Sequence, residues 1–343
     1  MGTKVSLGVD LGTSKTAIVT SDSRRICVPT AIGRPKDKVA LRLLGRGKIF
    51  GEQLLDSPGS LEVTRPLMGA SWKYDFEKGE GADPSSVAAD LRDLLHFALQ
   101  EIGLDKGDIA HCVIGSPACA TFDSVNFVVG IGNEMTDQAI VVSEPFAVAY
   151  GIGKLADVIV VDIGAGTIDI CPLSGTYPDS TTQATIPFGG DDVDRAIYEA
   201  VLEQYSDATC DLGEIRELKE RYGTSSTVNA TIAVAGRPQL VDLTKVVRSG
   251  CEALVTPIVD GVCKVLSQFN HRTQQRMLQK VVLSGGGSQT HGLDCRVEEE
   301  LRKHFGVAHV KRVHDYVYAG AYGALKLAMD MPSENWQTIK EAA

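Results

Sequence analysis

The sequence lacks the features that mark disulfide-rich, zinc-binding and membrane-spanning proteins. Its eight cysteines include no C-x-x-C pair, so we expect reduced, mostly buried thiols. No apolar run reaches the length of a transmembrane helix. An apolar segment begins at Val5, which leaves no place for a signal peptide. We therefore expect a protein of the reducing cytoplasm.

Positive charge is also scarce. The 343 residues carry 34 Lys and Arg against 44 Asp and Glu, a formal net charge of −10. Because nucleic-acid binding needs a basic face, this balance argues against DNA or RNA as a main partner. The hydrophobic content of 43% and charged content of 23% are typical of a globular protein, and the length suits roughly two domains.

The chain contains two similar segments, one near its N-terminus and one near its middle. Residues 5–20 (VSLGVDLGTSKTAIVT) and 158–173 (VIVVDIGAGTIDICPL) each predict a strand, an aspartate-glycine turn and a second strand. Stretches of small residues at 144–154 and 318–328 predict closely packed helices. Further strands are predicted at 110–115, 139–142 and 281–284, and helices at 84–102 and 191–204. We therefore expect two related α/β halves that face one another across a cleft.

The first turn, D-L-G-T-S-K-T, has residues suited to a phosphate group. Gly12 permits close approach of the backbone, and Thr13 and Ser14 supply hydroxyl donors. Lys15 could add positive charge. Asp10 cannot favour an anion, so its natural role is to hold Mg²⁺, through water. An ordinary acidic hairpin turn remains the alternative for this loop taken alone.

The second turn, D-I-G-A-G-T-I-D, repeats this pattern. Asp162 corresponds to Asp10, and Asp169 adds a second carboxylate. The expected phosphate contacts come from Gly164, Ala165, Gly166 and Thr167. Two such loops would hold a polyphosphate from both sides, with Asp10 and Asp162 converging on the metal. Neither loop has the Walker or the G-x-G-x-x-G pattern, which argues against P-loop and dinucleotide enzymes.

A third glycine cluster follows the predicted strand at 281–284. Gly285, Gly286 and Gly287 carry no side chains, so a flat base and ribose could pack against their backbone, beside Ser288. A flexible turn is the alternative.

In this order the motifs resemble the actin, DnaK-type chaperone and sugar-kinase superfamily over nearly the whole chain. The two turns look like its phosphate motifs, and residues 283–288 look like its adenosine motif. The resemblance implies an actin-like ATPase fold, with two ribonuclease H-like α/β domains around a nucleotide cleft that binds ATP or ADP and Mg²⁺. The implied subdomains are IA (1–31, 74–150 and 321–343), IB (32–73), IIA (151–186 and 248–320) and IIB (187–247).

The resemblance also implies catalytic roles. Residues 143–151 (SEPFAVAYG) are similar to the first connecting helix of bacterial actins, in which the glutamate orients or activates the water that attacks the γ-phosphate. It therefore assigns Glu144 and Asp162 as catalytic residues. A charge that only favours the start of a helix is the alternative for Glu144.

Two further segments match the family less uniformly. Residues 188–197 resemble its G-G-D segment, which implies that Gly189, Gly190 and Asp191 lie near the γ-phosphate. Lys219 matches the adenine-side pattern E-x-x-K-x-x-x-G, but Arg216 stands where the glutamate is expected. That departure puts a base or ribose contact from this segment in doubt.

Outside the ATPase core, residues 33–46, 141–146 and 331–336 resemble the actins of magnetosome-forming bacteria. This implies a cytoplasmic ATPase that polymerises head to tail with ATP, disassembles after hydrolysis and positions magnetosomes. The implied partners are further copies of the chain and magnetosome-associated proteins. The inserted segments 32–73 and 187–247 are expected in the longitudinal contact. A basic run either joins that contact or is a solvated surface: Arg34, Lys36, Lys38, Arg42, Arg46 and Lys48.

Other functions remain open. A rod-shape or plasmid-segregation actin would share the ATPase core, although no amphipathic helix or apolar loop for lipid contact is evident. A monomeric DnaK-like chaperone would need a long C-terminal substrate domain, whereas this chain ends soon after its last expected core helix. A small-molecule kinase would need a dedicated aspartate base, for which the sequence offers no candidate outside the phosphate loops.

Overall fold

The computed structural model describes residues 4–68, 71–72, 74–75, 80–81, 83–224 and 227–342. The chain divides into two compact units, Met1–Lys154 with Val317–Ala343, and Leu155–Tyr316. The four predicted subdomains stay a prediction. Parts of the predicted segments 32–73, 74–150 and 187–247 lie outside the described residues.

The strands alternate with helices along the chain. They are β1 (Val5–Leu11), β2 (Lys15–Thr20), β3 (Arg25–Pro29), β4 (Ile32–Pro35), β5 (Leu61–Thr64), β6 (Leu67–Met68), β7 (Ser71–Trp72), β8 (Tyr74–Asp75), β9 (Glu80–Gly81), β10 (Ile109–Ser116), β11 (Gln138–Ser143), β12 (Ala156–Ile163), β13 (Ile168–Ser174), β14 (Ala184–Ile186), β15 (Ala208–Thr209), β16 (Asn229–Val234), β17 (Arg237–Asp242), β18 (Val281–Ser284) and β19 (Val310–Arg312).

The helices are α1 (Lys38–Leu44), α2 (Pro84–Glu101), α3 (Phe122–Met135), α4 (Glu144–Gly151), α5 (Gly190–Gln204), α6 (Leu212–Tyr222), α7 (Thr244–Glu252), α8 (Val255–Leu266), α9 (His271–Leu278), α10 (Leu293–Phe305), α11 (Ala319–Asp330) and α12 (Ser333–Ala342). Within the described part of the chain, none of them is both long enough and apolar enough to cross a membrane.

Each unit is built on a five-stranded sheet, and the two sheets have the same strand order and directions. In the first the order is β11-β10-β1-β2-β3, with β1 parallel to β10 and antiparallel to β2. In the second it is β14-β13-β12-β18-β19, with β12 parallel to β18 and antiparallel to β13. The strands that carry Asp10 and Asp162 thus have the same central position. This confirms the predicted pair of related α/β halves.

The central strand of the second unit is buried without alternation. Val158, Ile159, Val160 and Val161 of β12 are all fully buried. Such a continuous apolar run is expected where both faces of a sheet are covered. Helix α9 packs against β12, and α8 packs against its neighbour β13.

The sequence predicts that the inserted segment 187–247 is mostly helical with a short strand-like stretch at 230–236 (ATIAVAG), but the segment contains more strand than that. Beside α5 and α6 it forms a three-stranded sheet in the order β15-β16-β17. Strand β17 gives a weak sequence signal because Val241 is its only buried residue and Pro238 lies within it.

The basic run of the first inserted segment does not form one surface. The side chains of Arg34 and Lys48 both bind the carboxylate of Asp90 on α2, and Lys48 also binds Asp93. Lys36 donates to the carbonyl oxygen of Gly59. Arg34 and Lys48 therefore hold the segment to α2 of the same unit, whereas Lys36 binds within the segment, so the run is neither wholly solvated nor wholly available to a partner.

Helix α11 packs against β1 and α4 so closely that no side chain fits between the backbones at Gly8 and Gly323. A Cβ atom on Gly323 would lie 1.7 Å from the carbonyl oxygen of Ala147 in α4. Only glycine leaves room for this approach. The prediction of closely packed helices at 144–154 and 318–328 is confirmed.

We expect Gly323→Ala to destabilise the protein strongly. The added methyl group would meet backbone that cannot rotate away, so the free energy of unfolding should fall by about 3 kcal/mol. The matched control is Gly130→Ala, in an exposed part of α3 where a Cβ atom meets nothing within 4 Å. That change should stabilise by about 0.5–1 kcal/mol. Urea unfolding measures both, and equal stabilities of the two variants would contradict the packing.

Candidate functional site

The first turn joins β1 and β2 as a tight hairpin. Leu11 pairs with Thr16, and the amide of Gly12 donates to the carbonyl of Lys15 over 3.1 Å. Lys15 is exposed and starts β2. Five predicted ligand residues therefore lie on this hairpin: Asp10, Gly12, Thr13, Ser14 and Lys15.

Glu144 lies beside this turn within the same unit. Asp10 pairs with Gly115 on β10, and β11 next to it ends at Ser143, directly before Glu144. A Cβ atom on Gly115 would lie 3.1 Å from Cγ of Glu144 and 3.9 Å from Cα of Asp10. Since ligands of α/β sheets bind at the carboxyl ends of parallel strands, both carboxylates have suitable positions.

Helix α11 begins against Asp10. A Cβ atom on Gly320, the second residue of α11, would lie 2.5 Å from Oδ2 of Asp10. The N-terminal end of a helix is a favourable position for a negatively charged side chain. Gly320 is not among the predicted site residues, because only the packing of α11 on β1 brings it to the turn.

Two buried threonines behind the first turn were also missed. Thr30 donates its hydroxyl to the carbonyl oxygen of Gly12 over 2.7 Å, and Thr16 lies 2.8 Å from the same hydroxyl. Both side chains are fully buried. Thr30 follows β3, and no local pattern connects it with the turn.

The second turn joins β12 and β13. Gly164 donates its amide to the carbonyl of Thr167 over 2.8 Å, and Asp162 pairs with Asp169 across the strands. Ser284 on β18 donates its hydroxyl to Asp162 over 2.7 Å. Thr185 on β14 donates to Asp169 over 2.5 Å. Ser284, Asp162, Asp169 and Thr185 thus form a row of polar side chains across four neighbouring strands.

The surroundings of Asp162 oppose its negative charge. Burial raises its pKa to about 6, and the nearby charge of Asp169 acts in the same direction. The hydrogen bond from Ser284 lowers the pKa but does not compensate. A carboxylate in such a position gains from a neighbouring cation.

The glycine cluster lies directly on Asp162. Gly285 has a φ of +75°, and a Cβ atom there would lie 2.4 Å from Oδ1 of Asp162. Ser288 is buried, and its hydroxyl donates to the carbonyl of Gly285 over 2.7 Å. Gly286 is exposed and Gly287 half-buried. The predicted adenosine segment and the second phosphate turn therefore form one contiguous surface of the second unit.

Helix α5 begins on the second turn. The amide of Gly190 donates to the carbonyl of Gly164 over 3.0 Å, and that of Asp191 donates to the carbonyl of Ala165 over 2.8 Å. The structure thus places the G-G-D segment, Gly189 included, beside the loop that also contains Gly166 and Thr167.

Lys219 is placed against the first turns of α5. Its ammonium lies 2.6 Å from the buried carboxylate of Asp194 and donates to the carbonyl of Gly190 over 2.9 Å. Arg216 joins Asp191 and Asp194 over 2.7 and 2.9 Å. The arginine that replaces the expected glutamate therefore pairs within the protein. The nucleotide contact of Lys219 stays a prediction.

The carboxylate of Asp162 is of the type that binds magnesium in phosphate sites. In the described residues no three His, Cys, Asp or Glu side chains converge as a direct metal site. Magnesium in phosphate sites uses one or two carboxylates and keeps several waters. The half-buried Asp162, whose pKa is raised, would supply such a hard oxygen ligand.

Comparison with known proteins agrees with this architecture. The family described as MreB/Mbl protein matches residues 4–332. The actin-like protein MamK of Paramagnetospirillum magneticum (strain AMB-1) is 35% identical over 344 residues, which cover 99% of this chain and 96% of that protein.

Solved structures agree as well. A MamK double helical filament has a TM-score of 0.89 at 34% identity, covering 96% of this chain and all of that one. A non-polymerising MamK mutant bound to AMPPNP has a TM-score of 0.70, also at 34% identity, with coverage of 96% of this chain and all of that one. The repeated sheets and turns are thus those of the actin-like fold. The chain belongs to the MreB/Mbl family.

We expect the nucleotide-free protein to lose stability as Asp162 ionises. Because its pKa rises from 3.8 to about 6 on folding, the protonated form favours the folded state. That contribution is complete below about pH 4 and disappears as the pH rises through about 6. Asp162→Asn should flatten the pH dependence of the free energy of unfolding by up to about 1.4 kcal/mol per pH unit in this window.

Urea unfolding between about pH 4 and 7 tests this, with Asp260→Asn on the exposed side of α8 as the control. Identical pH profiles for the native protein and Asp162→Asn would show that Asp162 does not titrate in this window.

Proposed function

We propose that this chain is an actin-like ATPase that polymerises into filaments with ATP and disassembles after hydrolysis. The main support is its similarity to the MamK filament protein over nearly the full length of both chains. The AMPPNP-bound relative supports ATP or ADP as the ligand. The resemblance to magnetosome actins further supports a cytoplasmic filament that positions magnetosomes, with other copies of the chain and magnetosome-associated proteins as its partners.

In this proposal each unit contributes its turn to ATP binding. The amides and hydroxyls of residues 12–14 and 164–167 would bind phosphate oxygens, with Lys15 adding positive charge. The backbone of Gly285–Gly287, with Ser288, would border the adenosine. The G-G-D segment and Lys219 would lie near the phosphates and the adenine side.

Asp10 and Asp162 would hold Mg²⁺ through water. The bound ion would neutralise charge on the phosphate oxygens during transfer to water. Glu144 starts α4 beside Asp10, where its carboxylate could order the attacking water and accept its proton.

A polymerisation assay tests the proposed function. With ATP and Mg²⁺ the light scattering of the purified protein should rise above a threshold concentration, and electron microscopy should show filaments. Addition of EDTA should prevent the rise. A flat trace over a wide range of protein concentration would favour the monomeric, chaperone-like alternative.

Glu144→Ala should separate binding from hydrolysis. We expect unchanged ATP affinity, phosphate release slowed by about 100-fold and longer-lived filaments, because the water loses its orienting carboxylate. Glu101→Ala, at the exposed end of α2, is the matched control. Phosphate release at the native rate in the Glu144 variant would remove this residue from the mechanism.

A further inference from the structure

Thr30 holds the first phosphate turn at two points. Its hydroxyl donates to the carbonyl of Gly12 over 2.7 Å, and its amide donates to the carbonyl of Ser14 over 2.9 Å. The hydroxyl has a single hydrogen, which goes to Gly12. Thr16, whose oxygen lies 2.8 Å away, must therefore be the donor in the Thr16–Thr30 hydrogen bond.

These hydrogen bonds have no substitute in water. Thr16 and Thr30 are both fully buried, so neither hydroxyl can exchange its partner for solvent. Buried polar groups must be paired within the protein, and the loss of one partner leaves the other unsatisfied. The chain of bonds from Thr16 through Thr30 to Gly12 is therefore a fixed support for the turn.

The support determines where the amides of the turn point. In a trans peptide unit the C=O of one residue and the N–H of the next point in opposite directions. Because the carbonyl of Gly12 points toward the hydroxyl of Thr30, the amide of Thr13 is directed to the other side of the turn. Thr13 is one of the residues that the sequence predicts to bind phosphate.

We propose that Thr30 is a positioning residue for the nucleotide phosphates. It touches no ligand itself. Instead it orients the peptide units on which the first phosphate turn relies. This inference deepens the proposed function and rests on it.

The experiment compares Mg²⁺-ADP affinity by isothermal titration calorimetry in four proteins. Thr30→Val, which keeps the shape but removes the hydroxyl, should weaken binding about tenfold. Thr30→Ser keeps the hydroxyl and should restore native affinity. The control Thr136→Val removes another buried hydroxyl, one that donates to the carbonyl of Gly132 at the end of α3. It should lower the melting temperature without changing ADP affinity.

The outcomes separate positioning from stability. Native ADP affinity in Thr30→Val, with only a lower melting temperature, would overturn the inference. A loss of affinity in Thr30→Ser equal to that in Thr30→Val would do the same, because the hydroxyl would then be irrelevant. If the native protein binds no nucleotide, the proposed function fails and this inference fails with it.

If Thr30→Val does not fold, the ADP affinity of the Thr16→Val variant tests the inference instead. This substitution removes the donor that fixes the Thr30 hydroxyl, so ADP affinity should fall about threefold. Unchanged affinity there would overturn the inference.

Discussion

In each of the two units, a glycine lies against the carboxylate near the end of the central strand. Gly320 touches Asp10, and Gly285 touches Asp162, at distances where any side chain would collide with the carboxylate oxygen. The glycines let helix α11 and the turn after β18 reach the two aspartates. Without them, neither the start of α11 nor the segment Gly285–Ser288 could pack against the two turns.

The two units have the same strand pairing around their turns, but the residues opposite the two aspartates differ. In both turns the cross-strand partner of the aspartate lies seven positions after it, and this partner is Ala17 in the first unit and Asp169 in the second. In the second unit two carboxylates with hydroxyl partners therefore lie opposite one another across the strands, whereas in the first unit the residue opposite Asp10 is an alanine. Burial is the main cause of the raised pKa of Asp162, and the negative charge of Asp169 opposite it acts in the same direction.

The charged side chains beside the second turn form ion pairs with one another within the protein. Asp194 is almost fully buried and receives both Lys219 and Arg216. A buried ion pair that loses one partner leaves an uncompensated charge, which makes such networks sensitive to substitution. The network holds α6 against the start of α5, and α5 in turn rests on the second phosphate turn. This explains why an arginine is accommodated where the family pattern has glutamate.

Local patterns in the sequence predict the individual elements and the repeat. Apolar runs and the turns that follow the aspartates depend on neighbours a few positions apart, so 5–20, 158–173 and the strand Val281–Ser284 were predictable. The partners of those elements, in contrast, depend on the tertiary fold. Thr30 reaches Gly12 across 18 positions and Ser284 reaches Asp162 across 122. Strand register and helix packing set such contacts, and no local pattern of residues records which distant side chain will arrive.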